Sequence, residues 1–126
     1  MIEILQETKT SVVCVKPVGI AAQGTDPQAL PQLLAAQLGC EVYPVHRLDQ
    51  TVGGVMVFAR SRMADSLLSR QVQAHTFEKD YLAVLEGVPA QASGVLEDQL
   101  RRDTAARRTC VADAPGPDTR PARLSY

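Results

Sequence analysis

Apolar residues in this chain fall in short runs whose spacing changes along its length, and those changes predict its elements. Val12-Val13-Cys14-Val15 is a compact apolar run of strand length. Lys16-Pro17-Val18-Gly19 stops it, because Pro17 fixes φ and carries no N–H while Gly19 permits a turn. Asp26-Pro27 has the form of a helix N-cap followed by proline, and Pro31 offers a second start. From either start the helix carries Leu33, Leu34 and Leu38 and ends at Gly39. The run from Val55 to Ala59 reads as a buried strand. Ser61 can cap a second helix, in which Met63, Ala64, Leu67, Leu68 and Val72 follow the spacing of one buried face. From Phe77 to Glu86, residues 77, 79, 81, 83 and 85 alternate with 78, 80, 82, 84 and 86 in the period of a strand.

Gly94-Val95-Leu96, Thr109-Cys110-Val111 and the stretch Ala122–Tyr126 read as further short strands. Residues 114–118, with two prolines and a glycine, form a loop between them. Few helices and many strands joined by short turns favour an α+β fold with a mainly antiparallel sheet over a βαβ array. No internal repeat divides the chain, so residues 1–126 are expected to form one domain.

Composition narrows the class. The chain has 126 residues, 45% hydrophobic and 21% charged, which is ordinary for a globular domain. No run approaches the roughly 18 apolar residues of a spanning helix, and the start Met1–Glu7 lacks the basic and apolar regions of a signal peptide. A cytoplasmic protein with no membrane partner is expected. Cys14, Cys40 and Cys110 are odd in number and widely spaced, which suits reduced cysteines better than a metal site or a disulfide framework. The net charge of −1 argues against nucleic acid, but the charge is unevenly spread. Six arginines (Arg101, Arg102, Arg107, Arg108, Arg120, Arg123) stand against three aspartates (Asp103, Asp113, Asp118) near the C-terminus. Local potential, rather than total charge, attracts a phosphate backbone. Equally, such arginines can decorate hairpin turns and solvated strands.

The chemistry is concentrated at His46-Arg47-Leu48-Asp49, followed by Gln50-Thr51-Val52-Gly53-Gly54 and the apolar strand. A carboxylate that must attack or take a proton has to stay ionised, and an adjacent cation favours that state. If the segment is extended, Arg47 and Asp49 point to the same side. An aspartate capping the turn before the strand would show the same local sequence.

This segment resembles the central motif of the RluA-type pseudouridine synthases. Lys16-Pro17-Val18-Gly19-Ile20 is similar to that family's Lys-Pro-x-Gly segment, and Lys79-Asp80-Tyr81-Leu82-Ala83-Val84 to its Lys-x-Tyr strand. The three occur in the family's order. Val52 stands where the family usually has serine, and Gln23 near the place of a frequent histidine. The segment is not a protein-kinase His-Arg-Asp motif, since the Gly-rich phosphate loop, strand lysine and Asp-Phe-Gly that accompany it there are missing. The family's catalytic domains continue beyond the Arg120–Tyr126 strand, so the resemblance implies the N-terminal portion of such a domain.

The resemblance implies a mixed, largely antiparallel sheet with packed helices, and an enzyme that isomerises uridine to pseudouridine in RNA without cofactor or metal. It assigns the catalytic carboxylate to Asp49 and a stacking or proton-transfer tyrosine to Tyr81. Arg47 is expected beside the flipped nucleotide. His46 is expected near RNA or as a structural hydrogen-bonding residue, and Lys16 and Lys79 at phosphates or framing the site. A uridine stacked in a helix cannot present its sugar to a carboxylate, so the substrate is expected in a loop of ribosomal or transfer RNA. The alternative is an RNA-binding fragment without turnover. A glycosidase is disfavoured, because no paired acid motif accompanies Asp49.

Overall fold

The apolar run Val12–Val15 lies inside a strand, β2 (Ser11–Lys16), whose alternate residues Val12, Cys14 and Lys16 are fully buried. It pairs antiparallel with β4 (Gly54–Ala59), in register from Ser11 opposite Ala59 to Lys16 opposite Gly54. Partners directly opposite in a sheet share a face, so Met56 and Phe58 are buried beside Cys14 and Val12. Two shorter strands complete the sheet: β1 (Ile4–Glu7) against β2, and β3 (Tyr43–Pro44) against β4. The order is β1-β2-β4-β3, and every pairing is antiparallel.

Helix α1 (Leu30–Leu38) begins with Pro31 in its first turn, so of the two candidate starts the second is used. The Asp26 carboxylate accepts from the Gln28 N–H at 2.8 Å, which makes a turn ahead of the helix instead of its cap. Gly39 closes α1 in the left-handed conformation that lets its N–H return to the Ala35 carbonyl. Leu30 and Leu34 enter the core with Val12, Cys14, Met56 and Phe58. Burial pushes the Cys14 thiol up to about 11, and all three cysteines are free. Phe58 is the largest apolar side chain with no exposure. Phe58→Ala is therefore expected to lower stability by about 3–5 kcal/mol, read as a shift in the urea unfolding midpoint followed by circular dichroism.

Helix α2 (Arg62–Gln73) starts where the sequence places it, with the Ser61 hydroxyl accepting from the Ala64 N–H at 3.2 Å. Its buried stripe is narrower than its apolar stripe. Ala64 packs with Val45 and Ala59, joined by Leu68, whereas Met63 and Leu67 are exposed. The helix packs chiefly against β3 and β4, at one side of the sheet, a narrow support that leaves part of the face uncovered.

The expected strand from Phe77 to Glu86 does not form: these residues are in neither helix nor strand, and all but Phe77 are exposed. An alternating pattern becomes a strand only when a neighbour pairs its backbone groups, and no ladder reaches this segment. The computed structural model describes residues 1–126 and gathers them into two compact units, Met1–Asp80 and Tyr81–Tyr126. The second contains a three-stranded antiparallel sheet in the order β6-β5-β7, built of β5 (Val95–Asp103), β6 (Arg108–Ala112) and β7 (Thr119–Ser125). Residues 114–118 form the predicted loop between β6 and β7. The architecture is α+β and antiparallel in every strand pair.

Candidate active site

The segment between β3 and β4 divides its side chains between the interior and solvent. Val45 is buried beneath α2, Leu48 packs on the main core, and Arg47 and Asp49 face solvent. The Arg47 guanidinium and the Asp49 carboxylate come within 3.5 Å, with side chains 64% and 74% exposed. At that length and exposure the pair contributes at most about 1 kcal/mol to stability. Its value is chemical: an accessible carboxylate with a cation on the same side.

Below this pair the backbone is braced. Asp49 closes a turn through its carbonyl, which accepts from the Val52 N–H at 3.0 Å. The Gln50 carbonyl accepts from the Gly19 N–H at 2.7 Å, and the Gln50 side-chain amide donates to the Gly19 carbonyl at 2.8 Å. The Lys16 ammonium donates to the carbonyls of Pro17 at 2.8 Å and Gln50 at 3.3 Å. A Cβ at Gly53 would press on the Val18 side chain at 3.1 Å and the Lys16 carbonyl at 3.3 Å, so the close approach of these segments favours glycine there. Two motifs distant in sequence thus form one structure, the Lys-Pro-Val-Gly turn bracing the Asp49 turn.

Lys16 is wholly buried, and its expected contact with phosphate does not fit. Its ammonium serves the frame, with two carbonyl dipoles in place of water, and burial lowers its pKa below the ordinary lysine value. Gln50 is the residue that sequence reasoning passed over. Its place in the turn after Asp49 was visible, but its partner lies in a segment that only the fold brings near.

His46 is held inward. Its Nε2 accepts from the Val57 N–H at 3.0 Å, taking over an edge donor of β4 where the short β3 has ended. Its ring stands 5.3 Å from that of Phe77, and its buried Nδ1 has no partner. This is a structural hydrogen-bonding role. Burial, followed by repulsion from Lys79, holds its pKa below the usual 6.5. The folded state therefore binds fewer protons than the unfolded chain in the window just below 6.5. Stability supplied by neutral His46 is present above that window and lost as pH falls through it, because a protonated Nε2 cannot accept from Val57. A falling urea midpoint below about pH 6.5 is expected, with the fall reduced in His46→Gln.

Lys79 is exposed and makes no ion pair. Tyr81 opens the second unit; its side chain is 62% exposed, so it is not the packed core tyrosine that a strand would have made it. No group of three or more His, Cys, Asp or Glu side chains is gathered so as to hold a metal ion. No helix is long and apolar enough to cross a membrane.

The antiparallel α+β frame has counterparts among known proteins. The model of the family described as RNA pseudouridylate synthase matches residues 10–125, and the chain belongs to that family. An uncharacterized RNA pseudouridine synthase of Bacillus subtilis (strain 168) is 34% identical over 110 residues, covering 81% of this chain and 36% of that protein. The tRNA pseudouridine synthase C of Haemophilus influenzae is 37% identical over 92 residues, 69% of this chain and 38% of its own length. Among solved structures, human RNA pseudouridylate synthase domain containing 1 superposes with a TM-score of 0.83 at 19% identity, over 99% of this chain and 51% of its own. At that identity the likeness concerns the fold. The chain spans between about a third and a half of the length of these proteins.

Proposed function

We propose that the whole protein to which these residues belong converts uridine to pseudouridine in RNA, with Asp49 as the carboxylate at the sugar. The observation that carries this reading is the outward Arg47–Asp49 pair on a turn braced from below by Lys16, Gly19 and Gln50. In the reaction the N1–C1′ bond breaks, the detached base turns, and C5 bonds to C1′ while C5 gives up its proton and N1 gains one. Asp49 attacks C1′ or takes a ribose proton, and the exposure of its carboxylate lets a flipped nucleotide reach it. Arg47 sets a cation beside the Asp49 carboxylate and lies where a phosphate or the flipped base would arrive. Tyr81 offers an accessible ring on which uracil can stack.

Relatives named as tRNA pseudouridine synthases support transfer RNA over ribosomal RNA as the substrate. The full-length protein, incubated with unmodified transfer RNA and ribosomal RNA transcripts, is expected to form pseudouridine in the former, read by nuclease digestion and mass spectrometry. Product in ribosomal RNA alone would reverse the assignment. Product in neither would remove the activity.

A further inference from the structure

The second unit carries six arginines, and its two sheet faces treat them differently. Glu97 pairs in register with Arg123, and their side chains meet at 3.2 Å; Arg101, on the same face by strand alternation, lies 3.9 Å from the Asp118 carboxylate. Arg101 and Arg123 of that face are thus matched with acids, whereas Arg108, opposite Asp103 in register, makes no ion pair. On the opposite face Leu100 stands opposite Arg120 in β7 and Val111 in β6, and Arg102, two residues on, stands opposite Thr109. Neither Arg102 nor Arg120 makes an ion pair, and both are exposed.

These two guanidiniums line a cleft of about 560 Å³ together with Leu100, Thr109 and Pro117. The wall at Pro117 is built rather than incidental. The Thr119 hydroxyl accepts from the Gly116 N–H at 2.8 Å and donates to the Gly116 carbonyl at 2.9 Å, and the Thr119 N–H returns to that carbonyl at 3.1 Å. Asp118 also lines the cleft, with Arg101 3.9 Å from its carboxylate, and Asp98 shares this face opposite Ala122; neither acid makes an ion pair with Arg102 or Arg120.

We propose that this cleft is a second RNA contact, in which Arg102 and Arg120 hold backbone phosphates and Leu100 and Pro117 support the apolar side of a sugar or base. Guanidinium forks match phosphate geometry, and an apolar floor between them suits a nucleotide chain better than a free anion or an acidic peptide. The inference rests on the RNA-modifying reading and adds a binding site to it, away from the reacting carboxylate in sequence and on its own sheet.

The test is the salt dependence of binding of the full-length protein to a fluorescent single-stranded RNA. Arg102→Gln with Arg120→Gln is expected to weaken binding about tenfold near physiological salt and to lower the slope of log K against log salt by about 1.4, two phosphate contacts' worth. Arg101→Gln with Arg123→Gln, the two matched with acids, is expected to change the slope by less than half as much. Equal losses from the two pairs, or no loss from the first, would overturn the cleft. So would competition by poly-glutamate as strong as that by unlabelled RNA, which would indicate an acidic protein partner. Pseudouridine formation by the unsubstituted protein on the same RNA separates the two claims. Product with an unchanged slope in the first pair removes the cleft alone, and no product with the lowered slope removes the activity alone.

Discussion

Asp49→Asn in the full-length protein is expected to reduce pseudouridine formation by about 10²- to 10⁴-fold, the range supplied by a positioned acid–base group, while RNA affinity stays within about twofold. The substitution isolates chemistry because of how the turn is built. The turn is closed by the Asp49 main-chain carbonyl and braced through Gln50, Gly19 and Lys16, none of which needs the Asp49 carboxylate. The only side-chain partner of Asp49 is Arg47, at 3.5 Å in solvent, so losing the charge removes little stability. Release of tritium from C5-labelled uridine in RNA reports turnover, since C5 loses its hydrogen only when the new bond forms. Activity within a few-fold of the unsubstituted protein would remove Asp49 from the reaction.

Replacement of Tyr81 is expected to separate stacking from proton chemistry. Tyr81→Leu loses the ring and should lower kcat/KM by about 5- to 150-fold, corresponding to the roughly 1–3 kcal/mol that one base gains from an aromatic surface. Tyr81→Phe keeps the ring, so any loss it shows belongs to the hydroxyl. Because Tyr81 is 62% exposed and lies in no strand, both variants should melt within about a degree of the unsubstituted protein. Full turnover with a lowered melting temperature would make Tyr81 a packing residue.

The sequence showed most clearly those elements whose causes are local. The Ser61 cap, the Gly39 end of α1, and the strand ended by Pro17 each follow from the chemistry of a residue and its immediate neighbours, whereas the start of α1 stayed open between Asp26-Pro27 and Pro31. The strand expected at Phe77–Glu86 depended on a pairing partner, which no local pattern can supply. Met63 and Leu67 shared the spacing of Ala64 and Leu68, but how much of a helix face is covered is decided by its neighbours. The edge strand Ile4–Glu7 was hidden for the opposite reason: only Ile4 in it is even half-buried, so it bears no clear alternation. Within the candidate site, Arg47 and Asp49 were placed on one side from the extended spacing alone. The inward roles of Lys16 and His46 were less legible, because each depends on a carbonyl or N–H presented by a segment remote in the chain.

The central claim is that these residues serve an isomerisation rather than cleavage or mere binding, and the fate of the base decides it. RNA incubated with the full-length protein should be divided into a polymer fraction, digested to nucleosides, and a small-molecule fraction. Each uridine lost should reappear as pseudouridine in the polymer, with no free uracil and no abasic site. Uracil in the small-molecule fraction, matched by abasic sites in the RNA, would show that the Asp49 carboxylate cleaves the glycosidic bond without rejoining it and would contradict the account.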